Sequence, residues 1–205
     1  MAQEHYFSVD PSANRRISNV EFEVAGKTFS LKASTGTFSS TALDTGTRIL
    51  LNHSDLFPTS GNVLDLGCGW GPISISIAAI CPDTKVWALD VNQRSLEQTS
   101  ENAKSMGLSN VLPVMADQIP AETRFRAILS NPPIRVGKKI LHELMHTYLP
   151  MLEPGGKALL VVQKHLGADS FQKWLAEEFS TMNVKRLSTD KTYRVIEVTN
   201  LATGQ

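Results

Sequence analysis

The sequence predicts an α/β fold in which a mostly parallel sheet is covered by helices on both faces. From residue 62 onward, short apolar runs alternate with longer amphipathic segments, which is the order that builds a parallel sheet. The first run ends in a glycine-rich turn, Asp65–Pro72. Later runs end at single polar residues, namely Asp90, Asp117 and Asn131. Sheets of this class bind ligands beyond the carboxyl ends of their strands, so these residues are the first functional candidates.

Length and composition predict one globular domain. The chain has 205 residues, of which 41% are hydrophobic and 20% charged, and its formal net charge is zero. No apolar run is long enough to span a membrane, and the N-terminus lacks the pattern of a signal peptide. Two cysteines, Cys68 and Cys81, indicate no disulfide framework and no metal cluster, so we expect a reducing, cytoplasmic location. Zero net charge counts against unspecific nucleic-acid binding but leaves room for a local basic face.

The first 51 residues predict a β-hairpin followed by a helix. Asn19–Val24 and Lys27–Lys32 alternate apolar and polar residues around Ala25 and Gly26, which is typical of two paired strands. A loop rich in Gly, Ser and Thr follows. Leu43–Leu51 then carries apolar residues at helical spacing.

The remaining chain predicts seven strands, the last two forming an antiparallel pair, and four helices. The strands are Val63–Leu66, Val86–Asp90, Val111–Met115, Ala127–Leu129, Ala158–Val162, Val184–Leu187 and Tyr193–Val198. The first helix begins at Pro72, the second follows the N-cap residue Asn92, the third follows Gly137, and the fourth contains Phe171. The segment Glu153–Gly156 is predicted as a turn. Ile73–Ile77 has the period-two alternation of a strand, but Pro72 in front and Cys81–Pro82 behind favour a helix.

The glycine-rich turn predicts a nucleoside-cofactor site. Gly67, Gly69 and Gly71 follow a strand and precede a helix N-terminus, where the backbone can approach a ligand closely. Their spacing is G-x-G-x-G, whereas the dinucleotide fingerprint is G-x-G-x-x-G. Asp65 precedes them, and an acid there suits an ammonium or sulfonium ligand better than a pyrophosphate.

Two further acids follow strands. Asp90 lies about 20 residues beyond the glycines, where a ribose-binding acid is expected in this architecture. Its alternative role is at the start of the next helix, beside the N-cap residue Asn92. Asp117 is placed to accept a hydrogen bond from an adenine amino group, and its alternative is a surface loop acid. Trp87, inside a strand, is expected in the core.

The segment Ser130–Ile134 predicts a rigid loop that offers hydrogen-bond acceptors. Pro132 and Pro133 have no N–H and push the residue before each of them into an extended conformation. The Asn131 side chain and the Pro132 carbonyl are then available to a planar group that carries an NH2. Because the Asn131 amide has both an acceptor and a donor, it is expected to read an amino group beside a ring nitrogen. A simple strand-ending turn is the alternative.

Together these segments resemble the class I S-adenosylmethionine-dependent methyltransferases, whose fold is Rossmann-like. Asn131–Ile134 is similar to the N-P-P-aromatic motif of amino-group methyltransferases, with Ile134 in place of the aromatic residue, so stacking on a target base must come from elsewhere. More narrowly, the chain looks like the small-domain branch that includes ribosomal RNA small subunit methyltransferase C. The segments that carry this narrower likeness are Phe38–Ser39, Leu43–Thr47, Ile134–Lys138 and Lys191–Ile196.

The resemblance implies N2 methylation of a guanine in 16S ribosomal RNA, with S-adenosylmethionine as cofactor, the ribosomal RNA or small subunit as partner and no metal. It implies a single methyltransferase domain over residues 1–205, in which 1–40 form the hairpin and loop and 41–205 the cofactor-binding catalytic core. The chain is expected to lack the additional N-terminal domain of longer members. The implied catalytic residues are Asn131, Pro132, Pro133 and Ile134. The implied cofactor-binding residues are Phe38, Asp44, Gly46, Asp65, Gly67, Cys68, Gly69, Gly71, Asp90, Val91, Asp117 and Asn131.

A basic face for RNA is expected just after the N-P-P loop. Its predicted residues are Arg135, Lys138, Lys139, Lys164, Tyr193 and Arg194, and Tyr193 is a candidate to stack on a base. Thr37, Phe38, Asp44 and Gly46 are candidates to close over the methionine end of the cofactor. His142 and His146, four residues apart on one helix, are expected on a solvated helix face.

Other activities remain open at this point. The same loop serves methylation of adenine N6 in nucleic acid or of a glutamine amide in protein. A nicotinamide oxidoreductase is disfavoured by the glycine spacing and by the Asn-Pro-Pro loop. A non-catalytic RNA-binding module would keep the basic face but would not need the acids and the glycine loop.

Overall fold

The computed structural model describes residues 17–37, 39, 41–132 and 137–202, and within these it places nine β-strands and five α-helices. The strands are β1 (Ile17–Val24), β2 (Lys27–Ser34), β3 (Ser60–Leu66), β4 (Asp83–Leu89), β5 (Val111–Val114), β6 (Phe125–Ser130), β7 (Leu152–Gln163), β8 (Met182–Asp190) and β9 (Tyr193–Asn200). The helices are α1 (Thr45–Leu51), α2 (Pro72–Ile80), α3 (Gln93–Ser105), α4 (Lys138–Tyr148) and α5 (Ala168–Glu178). The predicted site residues Phe38, Pro133, Ile134 and Arg135 lie outside the described residues.

The predicted sheet is confirmed. Seven strands pair in the order β5-β4-β3-β6-β7-β9-β8, and β1 and β2 form a separate antiparallel hairpin. Strands β3 to β7 run parallel, and β9 is antiparallel to both of its neighbours. The chain adds β4 and β5 on one side of β3 and β6 and β7 on the other, so the direction of winding switches between β3 and β6. Ligands in open α/β sheets bind at this kind of switch point.

Helices cover both faces of the sheet, as predicted. Along β7, Leu159 and Val161 belong to one hydrophobic cluster and Leu160 and Val162 to another, since strand side chains alternate between faces. The first cluster also takes residues from the hairpin, α1, α2 and α3, and the second takes residues from α4 and α5.

Helix α2 shows why a strand-like pattern folds as a helix. All seven residues from Pro72 to Ala78 are buried, so the helix needs no polar face and its alternation of Ile and Ser has no cost. The two buried serines are satisfied locally, because the Ser76 hydroxyl donates to the Pro72 carbonyl at 2.7 Å and the Ser74 hydroxyl donates to Asp65 at 2.5 Å.

The hairpin is attached to α2 and α3 by packing and by hydrogen bonds. The ring of Phe22 meets that of Trp70 edge-on, with centroids 6.2 Å apart. The Asn102 side chain accepts from the Lys32 N–H at 3.0 Å and donates to the Lys32 and Trp70 carbonyls at 2.9 and 2.8 Å. This one amide therefore joins the hairpin, the glycine-rich turn and α3.

Two local predictions are wrong. Residues Glu153–Gly156 were predicted as a turn but lie inside β7. The pairing of β6 with β7 is irregular there, since Phe125 pairs with Leu152 and Ala127 with Lys157. His142 is not on a solvated face, because its ring stacks on Trp174 of α5 with centroids 3.6 Å apart and planes 3° apart. His146 is half exposed, lies edge-on to the same indole and is 3.5 Å from Glu178.

Within the described residues, no helix has the length and apolarity that crossing a membrane requires. In the same part of the chain, no group of three or more His, Cys, Asp or Glu side chains is arranged to hold a metal ion.

Candidate functional site

The candidate residues gather where β3, β4, β5 and β6 end. These strands are neighbours and run in one direction, so the glycine turn after β3, Asp90 after β4, Asp117 after β5 and Asn131 after β6 share one edge of the sheet. The Ser130 hydroxyl donates to the Leu66 carbonyl at 2.7 Å and is buried. That bond holds Asn131 next to the start of the glycine turn.

Asp90 organises the glycine turn. Its Oδ2 accepts from the Gly69 N–H at 2.9 Å, and its Oδ1 accepts from the Asn92 N–H at 2.8 Å. The Asn92 side chain accepts from the Arg94 N–H and caps α3, as the sequence predicted. Burial raises the pKa of Asp90, and the backbone N–H donors oppose that rise. The carboxylate thus holds the turn in shape and lies beside the end of β4.

Gly71 is required at the start of α2. Its φ is +89°, and a Cβ there would lie 2.9 Å from the Thr99 side chain. Thr99 in turn donates its hydroxyl to the Gly69 carbonyl at 3.1 Å. A side chain at position 71 would push α3 away from the turn.

Asp65 is a fully buried carboxyl group at the end of β3. Its Oδ2 accepts from both the amide and the hydroxyl of Ser74, while its Oδ1 has no hydrogen-bond partner among the described residues. Burial raises the pKa of Asp65 to about 7, the Ser74 bonds oppose that rise, and the nearby Asp90 charge adds to it. A cationic ligand would favour the ionised form.

The raised pKa predicts how stability depends on pH in the cofactor-free protein. Since the folded-state pKa of about 7 exceeds the usual 3.8, Asp65 stabilises the fold most below pH 4 and loses that contribution as pH rises toward 7. The difference corresponds to about 4 kcal/mol. We expect the free energy of unfolding of Asp65→Asn, relative to wild type, to increase over this range in urea titrations. A relative stability that stays flat between pH 4 and 7 would show that Asp65 is ionised throughout.

Asn131 is held by helix α1. Its Nδ2 donates to Asp44 Oδ2 and to Thr47 Oγ1, both at 3.1 Å. Asp44 is the N-cap of α1, and its Oδ2 also accepts from the Gly46 N–H at 3.1 Å. The structure therefore shows Asp44 as the N-cap of α1 and places its carboxylate against Asn131, while its contact with the cofactor stays a prediction.

Gly46 allows α1 to approach this close. A Cβ at residue 46 would lie 3.0 Å from Tyr193 Cε1 and 3.3 Å from both amide atoms of Asn131. The Tyr193 hydroxyl accepts from Gln163 Nε2 at 2.5 Å. Burial, and then the Asp44 charge, raises the pKa of Tyr193, which keeps the phenol neutral. Tyr193 and Asn131 thus both lie against Gly46 at the start of α1.

The glycine turn and Asn131 line one cleft. The enclosed part has a volume of about 30 Å³. The residues around it are Ser39, Asp44, Thr47, Gly67, Cys68, Gly69, Trp70, Pro72, Ile73 and Asn131. A larger hollow of about 270 Å³ lies elsewhere, between Lys27, Pro82 and Gly107. That hollow contains none of the polar residues at the strand ends, so the smaller cleft is the candidate site.

The other predicted residues fall into two groups. Val91 is 66% exposed beside Asp90, and Asp117, Lys138, Lys139 and Lys164 are also exposed. Arg194, by contrast, is 8% exposed, and its Nε lies 3.6 Å from the Asp169 carboxylate. Its side chain is therefore mostly buried, which disfavours the RNA contact that was expected of it.

Three residues that make hydrogen bonds in this region were not predicted as site residues from the sequence. The position of Ser74 on α2 gave no indication that it would donate hydrogen bonds to Asp65. Thr47 had a usable signal, since it follows Asp44 by three residues, which is close to one helical turn. Gln163 also had one, because it directly follows the predicted strand Ala158–Val162.

The chain belongs to the methyltransferase small domain family, whose model matches residues 28–197. It is 34% identical to uncharacterized protein YbxB of Bacillus subtilis over 95% of this chain and 97% of that protein. It is 31% identical to ribosomal RNA small subunit methyltransferase C of Shewanella pealeana over 78% of this chain and 46% of that one. The fold matches a T. thermophilus 16S rRNA N2 guanine methyltransferase solved with AdoMet and guanosine. The TM-score is 0.77 at 21% identity, over 90% of this chain and 50% of that one. The chain thus spans about half the length of these named rRNA enzymes.

The residues present fit S-adenosylmethionine. The carboxylate of Asp65 is buried next to the turn, and one of its oxygens has no hydrogen-bond partner among the described residues, so its charge favours a cation bound nearby. A Cβ at Gly67 or Gly69 would meet nothing within 4 Å, so the surface of the turn is open to a ligand. Asp90 supplies an acceptor at the next strand end.

Proposed function

We propose that this chain transfers a methyl group from S-adenosylmethionine to an exocyclic amino group, and that its target is N2 of a guanine in 16S ribosomal RNA. The observation that carries the proposal is the shared cleft, in which Asn131, at the end of β6, lies next to the glycine turn after β3. Methyl transfer needs the methyl donor and the acceptor amino group to be bound side by side, and this cleft supplies residues to bind both.

S-adenosylmethionine supplies the activated methyl group. Asp65, Asp90 and the turn from Gly67 to Gly71 would hold it at the strand ends. Val91 and Asp117 are the residues proposed for its adenine. These contacts position the donor, and positioning contributes most of the rate of such a transfer.

The residues at the end of β6 would bind the acceptor. The Oδ1 of Asn131 and the carbonyl of Pro132 accept the two N–H bonds of the amino group, which leaves the nitrogen lone pair free to react. As the nitrogen becomes positive, these oxygens stabilise it. The methylated nitrogen then loses one proton to solvent.

Support for ribosomal RNA comes from the relatives, which are named as methyltransferases of the small and the large ribosomal subunit RNA. A guanine inside a helix cannot reach the cleft, so it must swing out of its stack at a cost of a few kcal/mol. Tyr193 is proposed to stack on that base in place of the aromatic residue missing at Ile134.

Assays with methyl-labelled cofactor test the proposal. Small ribosomal subunits, naked 16S RNA, duplex DNA and a release-factor protein are incubated with the enzyme, and the labelled product is digested and identified. We expect N2-methylguanine from one position of 16S RNA. Label in N6-methyladenine or in a protein glutamine would overturn the choice of substrate, and no label on any of them would overturn the activity.

The exposed lysines at the start of α4 predict an effect on substrate binding. Charge reversal in Lys138→Glu/Lys139→Glu should raise the KM for RNA more than it lowers kcat, because phosphate contacts act before the chemical step. The single change Lys139→Glu has a matched control in Lys173→Glu, since Lys173 of α5 is 78% exposed and pairs with Glu177 as Lys139, 89% exposed, pairs with Glu143. Equal KM changes in these two single variants would show that the effect is one of net charge and not of a docking face.

A further inference from the structure

We propose that Asp44 and Thr47 are positioning residues that fix the Asn131 amide in one orientation, so that Asn131 presents only an acceptor to the substrate. The inference rests on the proposed function and adds to it what the site selects. Neither residue needs to touch the substrate for this role.

The hydrogen bonds determine which end of the amide faces α1. A carboxylate only accepts, so the atom of Asn131 that lies 3.1 Å from Asp44 Oδ2 must be the nitrogen. The second N–H is directed at Thr47 Oγ1, also at 3.1 Å. Both amide hydrogens are therefore used inside the protein, and Oδ1 alone remains for a ligand.

This arrangement corrects one expectation from the sequence. Asn131 was expected to hydrogen-bond to an amino group and to a neighbouring ring nitrogen at once, but its NH2 group already donates to Asp44 and Thr47. The site instead presents two acceptors in sequence, Asn131 Oδ1 and the Pro132 carbonyl. Both oxygens can accept from one exocyclic NH2, and neither can donate a hydrogen bond to a ring nitrogen.

A reciprocal exchange of the two side chains tests the proposal. Asn131→Asp puts a carboxylate opposite Asp44, so it should lower kcat by roughly 100-fold. Adding Asp44→Asn restores a donor and acceptor pair and keeps an acceptor toward the substrate, so kcat should recover by roughly tenfold or more. In the wild-type background the same Asp44→Asn change should lower kcat, because the amide at residue 131 is then free to turn over. The affinity for S-adenosylmethionine is measured in each variant and kcat is taken at saturating cofactor, so that any loss of cofactor binding is separated from the change in turnover.

Thr47 gives a second test with no change of charge. Thr47 is 5% exposed, so Thr47→Val keeps the packing but removes the hydroxyl, whereas Thr47→Ser keeps the hydroxyl. We expect Val to lower kcat with KM and melting temperature nearly unchanged, and Ser to behave like wild type.

The outcomes separate this inference from the proposed function. If wild type methylates guanine but Asp44→Asn lowers kcat equally in both backgrounds, and Thr47→Val has full activity per folded molecule, the contacts only stabilise α1 and the inference is wrong. If wild type methylates none of the amino-group substrates, the proposed function itself fails. Opposite effects of Asp44→Asn in the two backgrounds establish the positioning role.

Discussion

Asn131→Ala should lower kcat for methylation by on the order of 100-fold or more, while the affinity for S-adenosylmethionine stays nearly unchanged. The change removes the oxygen that orients the amino group and stabilises positive charge on its nitrogen. It also removes two hydrogen bonds to α1, so we expect a loss of about 1–2 kcal/mol of stability. Turnover is therefore measured per folded molecule, in single-turnover reactions with saturating cofactor.

Asn62→Ala is the matched control. Asn62 also makes two side-chain hydrogen bonds, donating to the Arg124 carbonyl and accepting from Trp87 Nε1, but it lies near the beginning of β3, at the opposite end of the strand from the cleft. It should lose similar stability and keep its full kcat. If Asn131→Ala behaves like this control, melting early yet turning over at the wild-type rate, then Asn131 is a turn residue and the site has been misplaced.

The fold could be predicted because its signals are local. Pro72 and Cys81–Pro82 bracket α2, Asn92 caps α3, and apolar runs mark the strands, so each element is specified by residues close to it in the chain. The candidate site was predicted as far as it depends on strand ends. The glycine turn, Asp90 and Asn131 fall at one edge because parallel strands end together.

The remaining features depend on contacts between distant residues, which a pattern does not specify. Asp44 and Asn131 are 87 positions apart, and either side chain alone is compatible with a helix cap or a turn. The His142 ring lies on Trp174 because α4 and α5 pack side by side, whereas the spacing of His142 and His146 on α4 indicates only that they share a face. Arg194 has the positive charge expected of an RNA contact, and yet it is buried near Asp169, since β9 lies inside the sheet.

Asp90→Ala should weaken S-adenosylmethionine binding by roughly 10- to 100-fold, because hydrogen bonds to a charged group contribute about 1.5–3 kcal/mol. Two effects act together in this change. The carboxylate is the proposed acceptor for the ribose, and it also holds the Gly69 and Asn92 N–H groups, so the turn loses its shape when the side chain is removed.

Calorimetric titration with S-adenosylmethionine and with its demethylated product measures the affinity directly. Thermal melts give a second readout, since ligand at 100 times its dissociation constant stabilises a protein by about 2.7 kcal/mol, and NAD should give no shift. Asp83→Ala is the control, because Asp83 is an exposed acid at the other end of the same strand. Asp90→Asn separates the effects in part: it can keep an oxygen for the Gly69 N–H, while it loses the charge and the bond from the Asn92 N–H. Affinity equal to that of the Asp83→Ala control would show that neither the Asp90 carboxylate nor the turn shape it maintains contributes to cofactor binding.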